Sequence, residues 1–256
     1  MKVSYELNPP KIVRGERFDL GQLRIDIQKM VERASQLSGR VAGIHLTDSV
    51  LGIPRLSSIS AASFVLTELG RNSPSLSCSV RSRDRNFTSM SQAVGDATVL
   101  GVESLLILLG DEPTDGPGRS CLRPTLALEM LKKEGYHNWI KFSLSFPARV
   151  RDCPPRSFEK KIEAGPDCFV TQSISSLSDL GEIVDLAKAH GIKTTAVIMV
   201  PSEKNRQSAS LIGLDWSGYE KEFVDFIKNA GRIADSVLLT SPNSFQAGLD
   251  ILDKLK

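Results

Sequence analysis

Cysteine is scarce in this chain, and the patterns typical of metal sites are missing. The 256 residues include four cysteines, none of which forms a Cys-x-x-Cys pair or stands at zinc-ligand spacing from a histidine. The sequence therefore disfavours both a zinc site and a disulfide framework, and buried thiols are the simpler interpretation. We predict no metal.

Long runs of one charge and long hydrophobic runs are also missing. Lys and Arg number 32 against 30 Asp and Glu, with no polybasic block and no acidic tail, which argues against nucleic acid as a partner. The best hydrophobic run, residues 99–109, is interrupted by Glu103 and is too short to span a bilayer. The first residues carry no apolar signal core, so we expect a cytoplasmic protein without a membrane partner.

The glycine-rich loops that cradle phosphates are missing as well. No Gly-x-Gly-x-x-Gly turn follows the first predicted strand, and no Gly-x-x-x-x-Gly-Lys-Ser/Thr occurs. These absences disfavour an open, doubly wound sheet, which is the main alternative architecture.

Short apolar segments alternate with segments whose apolar residues recur every three or four positions. The pattern predicts strands at 3–7, 41–46, 75–80, 104–109, 139–145, 167–171, 194–200 and 236–240. It predicts helices at 20–37, 60–69, 89–100, 123–133, 157–163, 177–189, 218–230 and 244–255. Eight such pairs indicate an α/β protein with a (β/α)8 TIM barrel, a single catalytic domain over residues 1–256.

A barrel carries its chemistry at the carboxyl ends of its strands. Glu6 stands there in the first strand. If it points inward, desolvation should raise its pKa and suit it to act as a general acid; a barrel-mouth ion pair with a lysine or arginine is the alternative. His45 lies within the second strand, and a core residue is the simpler interpretation.

Other polar residues follow later strands. Asp84, between two arginines, should stay ionised and could anchor an N–H-bearing ring, or be a solvated loop charge. Gln172 offers the donors and acceptor that an amide-like heterocycle needs, or caps a loop. Gly110 permits close backbone approach, and Asp111 could be a turn residue. Phe245 could stack on a ligand or pack in the core.

Four segments together resemble the methylenetetrahydrofolate reductase family, flavoproteins built on this barrel. They are residues 4–10 (Ser-Tyr-Glu-Leu-Asn-Pro-Pro), 83–86 (Arg-Asp-Arg-Asn), 106–113 (ending Gly-Asp-Glu-Pro) and 161–172 (Lys-Ile-Glu-Ala-Gly-Pro-Asp-Cys-Phe-Val-Thr-Gln). The chain departs from the family at residues 77–82 and 47–49, and its loop 146–157 is rich in proline and arginine. In that loop Arg149, Arg151 and Arg156 could hold a pyrophosphate or face solvent.

The resemblance implies FAD as cofactor and hydride transfer from flavin N5 to methylene-tetrahydrofolate or a related pterin, giving the 5-methyl product in one-carbon metabolism and methionine biosynthesis. It implies Glu6 as general acid, Asp84 as a catalytic residue that also holds the substrate, and Gln172 and Phe245 as substrate-binding residues. The flavin contacts it implies are Thr47, Arg85, Asn86, Gly110 and Asp111. NAD(P)H or a redox partner protein would supply electrons, and a homo-oligomer is expected. The alternative is a pterin-binding methyltransferase or partner subunit without flavin chemistry.

Overall fold

The computed structural model describes residues 1–14, 17–112 and 122–256. Eight strands form a closed barrel in which each strand lies beside its neighbours in the chain and the last returns to the first. They are β1 (Val3–Leu7), β2 (Gly43–Leu46), β3 (Ser75–Arg81), β4 (Ser104–Leu108), β5 (Lys141–Phe146), β6 (Cys168–Ser173), β7 (Lys193–Met199) and β8 (Ser236–Thr240). Val3 pairs with Val237 in parallel register, which closes the ring.

Helices separate the strands, as a parallel barrel requires. In the described ranges they are α1 (Leu20–Leu37), α2 (Ser58–Leu69), α3 (Phe87–Leu100), α4 (Pro124–Lys133), α5 (Pro155–Glu163), α6 (Leu177–Lys188), α7 (Arg206–Leu211), α8 (Phe223–Ile233) and α9 (Phe245–Lys254). The predicted (β/α)8 barrel is therefore confirmed. None of these helices combines the length and apolar character needed to cross a membrane.

Helix boundaries follow the local signals with one clear exception. Ser176 caps α6 by accepting a hydrogen bond from the Asp179 N–H at 3.2 Å, so the helix begins at residue 177, as the pattern predicted. The exception is α8: the Ser217 N–H donates to Asp215, and the helix begins at Phe223, five residues after the predicted start at residue 218. The short α7 and a hairpin of Val13–Arg14 with Arg17–Phe18 were not predicted, because both are too short to show a periodicity.

Contacts with the surrounding helices show which strand side chains face inward. Cys78 of β3 contacts the carbonyl oxygen of Ser58 in α2, so its side chain faces outward. Because strand side chains alternate, Ser77, Ser79 and Arg81 lie on the inner face.

Tyr5 of β1 packs edge-on against Phe245 of α9, with ring centroids 5.8 Å apart. The same alternation therefore places Glu6 on the inner face. The inward orientation of Glu6 that the sequence left open is thus decided by the packing of its neighbour.

By its contacts the chain divides into two compact units. Unit 1 comprises Met1–Glu6, Gly39–Ala42 and Leu144–Lys256, and unit 2 comprises Leu7–Ser38 and Gly43–Ser143. Glu6 thus belongs to unit 1, and Asp84 to unit 2.

His45 is a buried titratable group of unit 2. Its Nδ1 lies 2.8 Å from the Ser77 hydroxyl and its Nε2 lies 2.8 Å from the Ser79 hydroxyl. Burial lowers its pKa to about 4, because desolvation disfavours the charged imidazolium form. The ring is therefore neutral in the folded protein at neutral pH, which supports the interpretation of His45 as a core residue.

We expect His45 to make folding acid-sensitive. As the pH falls from 6.5 towards 4, the unfolded chain takes up a proton that native His45 does not, so the free energy of unfolding should fall by up to about 3 kcal/mol. Urea unfolding of the wild type, His45→Gln and the exposed-site control His137→Gln between pH 7 and 4 tests this. Equal slopes in the wild type and His45→Gln would contradict it.

Candidate functional site

In unit 2, one buried arginine connects the loops that follow β2, β3 and β4. The Arg81 guanidinium donates to the carbonyl oxygens of Ser49 and Asp111, each at 2.7 Å, and forms an ion pair with Asp84 at 2.8 Å. Its backbone N–H donates to Asp48 at 3.1 Å. Because arginine keeps its charge at all ordinary pH values, these bonds form a permanent clamp on the three loops.

The clamp holds backbone in unfavourable conformations. Ser49 and Leu51 have φ values of 46° and 59°, a region that costs non-glycine residues energy. The Asp111 carboxylate accepts a hydrogen bond from the Leu51 N–H at 2.8 Å. Gly110, at φ 85°, lies so close to Arg81 that a Cβ atom there would meet Nε at 2.6 Å. Glycine at 110 is thus required by the arginine as well as by the turn.

The other residues assigned to a flavin in unit 2 also have partners within the chain. Thr47 donates its hydroxyl hydrogen to Asn8 at 2.7 Å, and Arg85 lies 3.4 Å from the Asp48 carboxylate. Asn86 caps α3 by accepting from the Ser89 N–H at 2.9 Å. Each of these side chains therefore holds a strand end or begins a helix.

In unit 1, Glu6 lies half-buried at the carboxyl end of β1. The Thr240 hydroxyl, at the end of β8, donates to its Oε1 at 2.7 Å. Gln172 is exposed near the end of β6, and Phe245 is half-buried against Tyr5. Glu6 and Gln172 thus stand at the edge where a barrel does its chemistry, whereas the Phe245 ring packs on the outer face of β1.

A lysine that the sequence did not single out as a site residue shares that edge. Lys161 of α5 reaches back to the end of β5, where its Nζ donates to the Ser145 carbonyl oxygen at 2.6 Å. Burial lowers the pKa of this amine, and the neighbouring Cys153 offsets only part of the effect. A neutral amine can donate one hydrogen to the carbonyl and keep its lone pair, so it can act as a nucleophile.

Cys153 lies in the loop between β5 and α5 and is buried, with 8% of its surface exposed. Burial raises the pKa of the thiol, while a hydrogen bond with Ser157 and the charge of Lys161 act in the opposite direction. The loop is braced by the Arg149–Asp152 ion pair at 2.6 Å.

The described ranges, residues 1–14, 17–112 and 122–256, bear on metal binding as well. No group of three or more His, Cys, Asp and Glu side chains there is placed to hold a metal ion.

Comparisons with known proteins give similarity in fold alone. No family model and no curated protein matches the chain. Among solved structures, a tetrameric deoxyribose phosphate aldolase from Aeropyrum pernix is similar with a TM-score of 0.56 and 11% identity, covering 99% of this chain and 88% of that one. A protein described as "QR15, an Aldolase" has a TM-score of 0.53 and 12% identity, covering 98% and 92%. At such identities the shared property is the barrel.

These comparisons contradict the predicted resemblance to methylenetetrahydrofolate reductases. The predictions that depended on this resemblance are therefore wrong. They are the FAD cofactor, the folate reduction, the NAD(P)H or protein electron donor, the role in one-carbon metabolism and the pterin-binding alternative. The physical reason lies in the motif residues, of which Gly110, Asp111 and Asn86 each meet a local demand of a barrel loop or helix start. Short motifs of this kind can arise wherever the same loops must be built.

Sequence reasoning also missed Arg81, Lys161 and Cys153. Arg81 could have been found from alternation, since it follows the inner-face positions Ser77 and Ser79. Lys161 stands four residues after Ser157 on one face of α5, but periodicity does not show that this face covers a strand end.

We expect Gly110→Ala to destabilise the protein more than Gly39→Ala. Both glycines have positive φ, but a Cβ at Gly39 would meet nothing within 4 Å. The control should therefore cost about 1–2 kcal/mol for backbone strain alone, and Gly110→Ala a further 1–3 kcal/mol for displacing Arg81. Urea unfolding measures both, and equal losses would contradict the proposed packing of Gly110 on Arg81.

Proposed function

We propose that this protein is an aldolase-type lyase, which breaks or forms a carbon–carbon bond next to a carbonyl group through an imine on Lys161. The observation that carries the proposal is the desolvated Lys161 amine, 2.6 Å from the Ser145 carbonyl oxygen at the carboxyl end of β5. The aldolases with a similar fold support the reaction class by analogy only.

Position favours Lys161 over the lysines of the barrel strands. Lys141 and Lys193 are the first residues of β5 and β7 and are exposed at the amino ends. Those ends lie at the edge of a barrel that contributes to stability rather than to catalysis. Lys161, although it belongs to a helix, brings its amine to the other edge.

The chemistry requires no reactant beyond substrate and water. The Nζ lone pair attacks the carbonyl carbon, and the carbonyl oxygen leaves as water, taking one hydrogen from the amine and one proton from an acid, to give an iminium ion. The iminium draws electrons from the bond between the α and β carbons, so that bond breaks as the β-hydroxyl loses its proton and departs as an aldehyde. The remaining enamine is protonated, and water hydrolyses the imine to restore the amine.

Glu6 is our candidate for the acid–base residue of these proton transfers. It is an inward carboxyl group of unit 1 at the same edge, and the Thr240 hydroxyl fixes its orientation. Gln172 is our candidate for binding the polar part of the substrate. Substrates are thus small carbonyl compounds. A cytoplasmic location and a homo-oligomeric state stay part of the proposal.

Borohydride reduction should attach a carbonyl compound permanently to Lys161, because it reduces the imine to a stable amine. We expect mass spectrometry after incubation with glycolaldehyde and borohydride to place the adduct on Lys161. Lys161→Met should lose it, and the exposed neighbour variant Lys160→Met should keep it. Labelling spread equally over surface lysines would overturn the proposal.

Replacing Glu6 by Gln should separate imine formation from turnover. The variant keeps the Lys161 amine, so borohydride trapping should persist, while the rate of aldehyde release should fall about 100-fold or more, as for loss of an acid–base group. Turnover can be followed by coupling the released aldehyde to an alcohol dehydrogenase. An unchanged rate would remove Glu6 from the mechanism.

A further inference from the structure

The loop between β5 and α5 places a second nucleophile beside the Lys161 amine. Cys153 precedes the two prolines at which α5 begins, and its thiol is hydrogen-bonded with Ser157 in the first turn of that helix. Ser157 and Lys161 are four residues apart and therefore lie on one face of α5.

Helical side chains lean towards the amino end of their helix, so the Lys161 side chain extends over Ser157. The hydrogen bond of Nζ to the Ser145 carbonyl oxygen fixes its end point at 2.6 Å. The Lys161 side chain therefore passes the first turn of α5, where Ser157 hydrogen-bonds with the Cys153 thiol, and the amine and the thiol each feel the charge of the other.

We propose that Lys161 and Cys153 together form a binding site for a small aldehyde, which they hold covalently as a neutral N,S-acetal. The inference rests on the proposed function insofar as it uses the same amine. It adds a residue, Cys153, and a bound state that an imine mechanism does not need.

The atoms of the step balance with aldehyde alone. The aldehyde carbon gains one bond to Nζ and one to Sγ. Its oxygen leaves as water, taking one hydrogen from the amine and one from the thiol. No oxidant or reductant is consumed, and addition of water reverses the reaction.

Burial explains why the acetal should form here. The first product, an iminium ion, is a charge in a partly desolvated place, and such a charge is costly. That same positive charge favours ionisation of the adjacent thiol, and the thiolate then adds to the iminium carbon. Both charges disappear in the product, so the desolvation that disfavours each ion favours the acetal. With only 8% of Cys153 exposed, the aldehyde must be small.

Intact mass spectrometry and peptide mapping with one equivalent of 13C-formaldehyde, without borohydride, test the proposal. We expect the protein to gain the mass of formaldehyde less one water, with the added carbon joining the peptides of Cys153 and Lys161. 13C NMR should show one carbon bonded to both nitrogen and sulfur. Cys153→Ser, Cys153→Ala and Lys161→Met should each abolish the bridge, and the matched control Cys168→Ser should keep it.

A second arm with borohydride separates this inference from the proposed function. If Lys161 is reductively labelled in both wild type and Cys153→Ser but no bridge forms without borohydride, the acetal is overturned and the lyase proposal stands. If neither bridge nor label forms at Lys161, both are overturned. Circular dichroism of each variant shows that a lost bridge does not reflect lost folding.

Discussion

Closure of the barrel by the β1–β8 pairing is the constraint on which the rest depends. Val3 pairs with Val237, and the Val237 N–H donates to the Lys2 carbonyl oxygen at 2.9 Å. In a closed parallel sheet all carboxyl ends meet one edge, so residues far apart in sequence become neighbours there. The Thr240 hydroxyl reaches Glu6 across 234 positions of sequence only because of this closure.

The effect of desolvation on a buried polar group depends on whether the group can become neutral. Lys161, Cys153 and His45 can give up charge, and burial drives all three towards the neutral form. The Arg81 guanidinium is instead surrounded by two carbonyl oxygens and the Asp84 carboxylate. The neutral forms of Lys161 and Cys153 are thus potential nucleophiles, while the charged Arg81 holds its loops in place.

The mistaken family assignment has the same physical origin. Three of the motif residues are required by the local structure of the loops. Gly110 has φ 85° beside the buried Arg81, Asp111 accepts a hydrogen bond from the Leu51 N–H, and Asn86 caps a helix. A motif made of such residues indicates the structure of the barrel loops, and it does not by itself indicate what the barrel binds.

The sequence by itself determined the eight strands, the helices between them within a few residues except at α8, and hence the barrel, because those features depend on periodicity and local caps. It also placed Glu6 and Gln172 at strand ends. Only the tertiary structure decided that Glu6 faces inward, that Arg81 holds three loops and that Lys161 and Cys153 feel each other's charge. Those outcomes depend on which face of one element packs against another and on the resulting desolvation of side chains. Neither can be predicted from local sequence, because both depend on residues far apart in the chain.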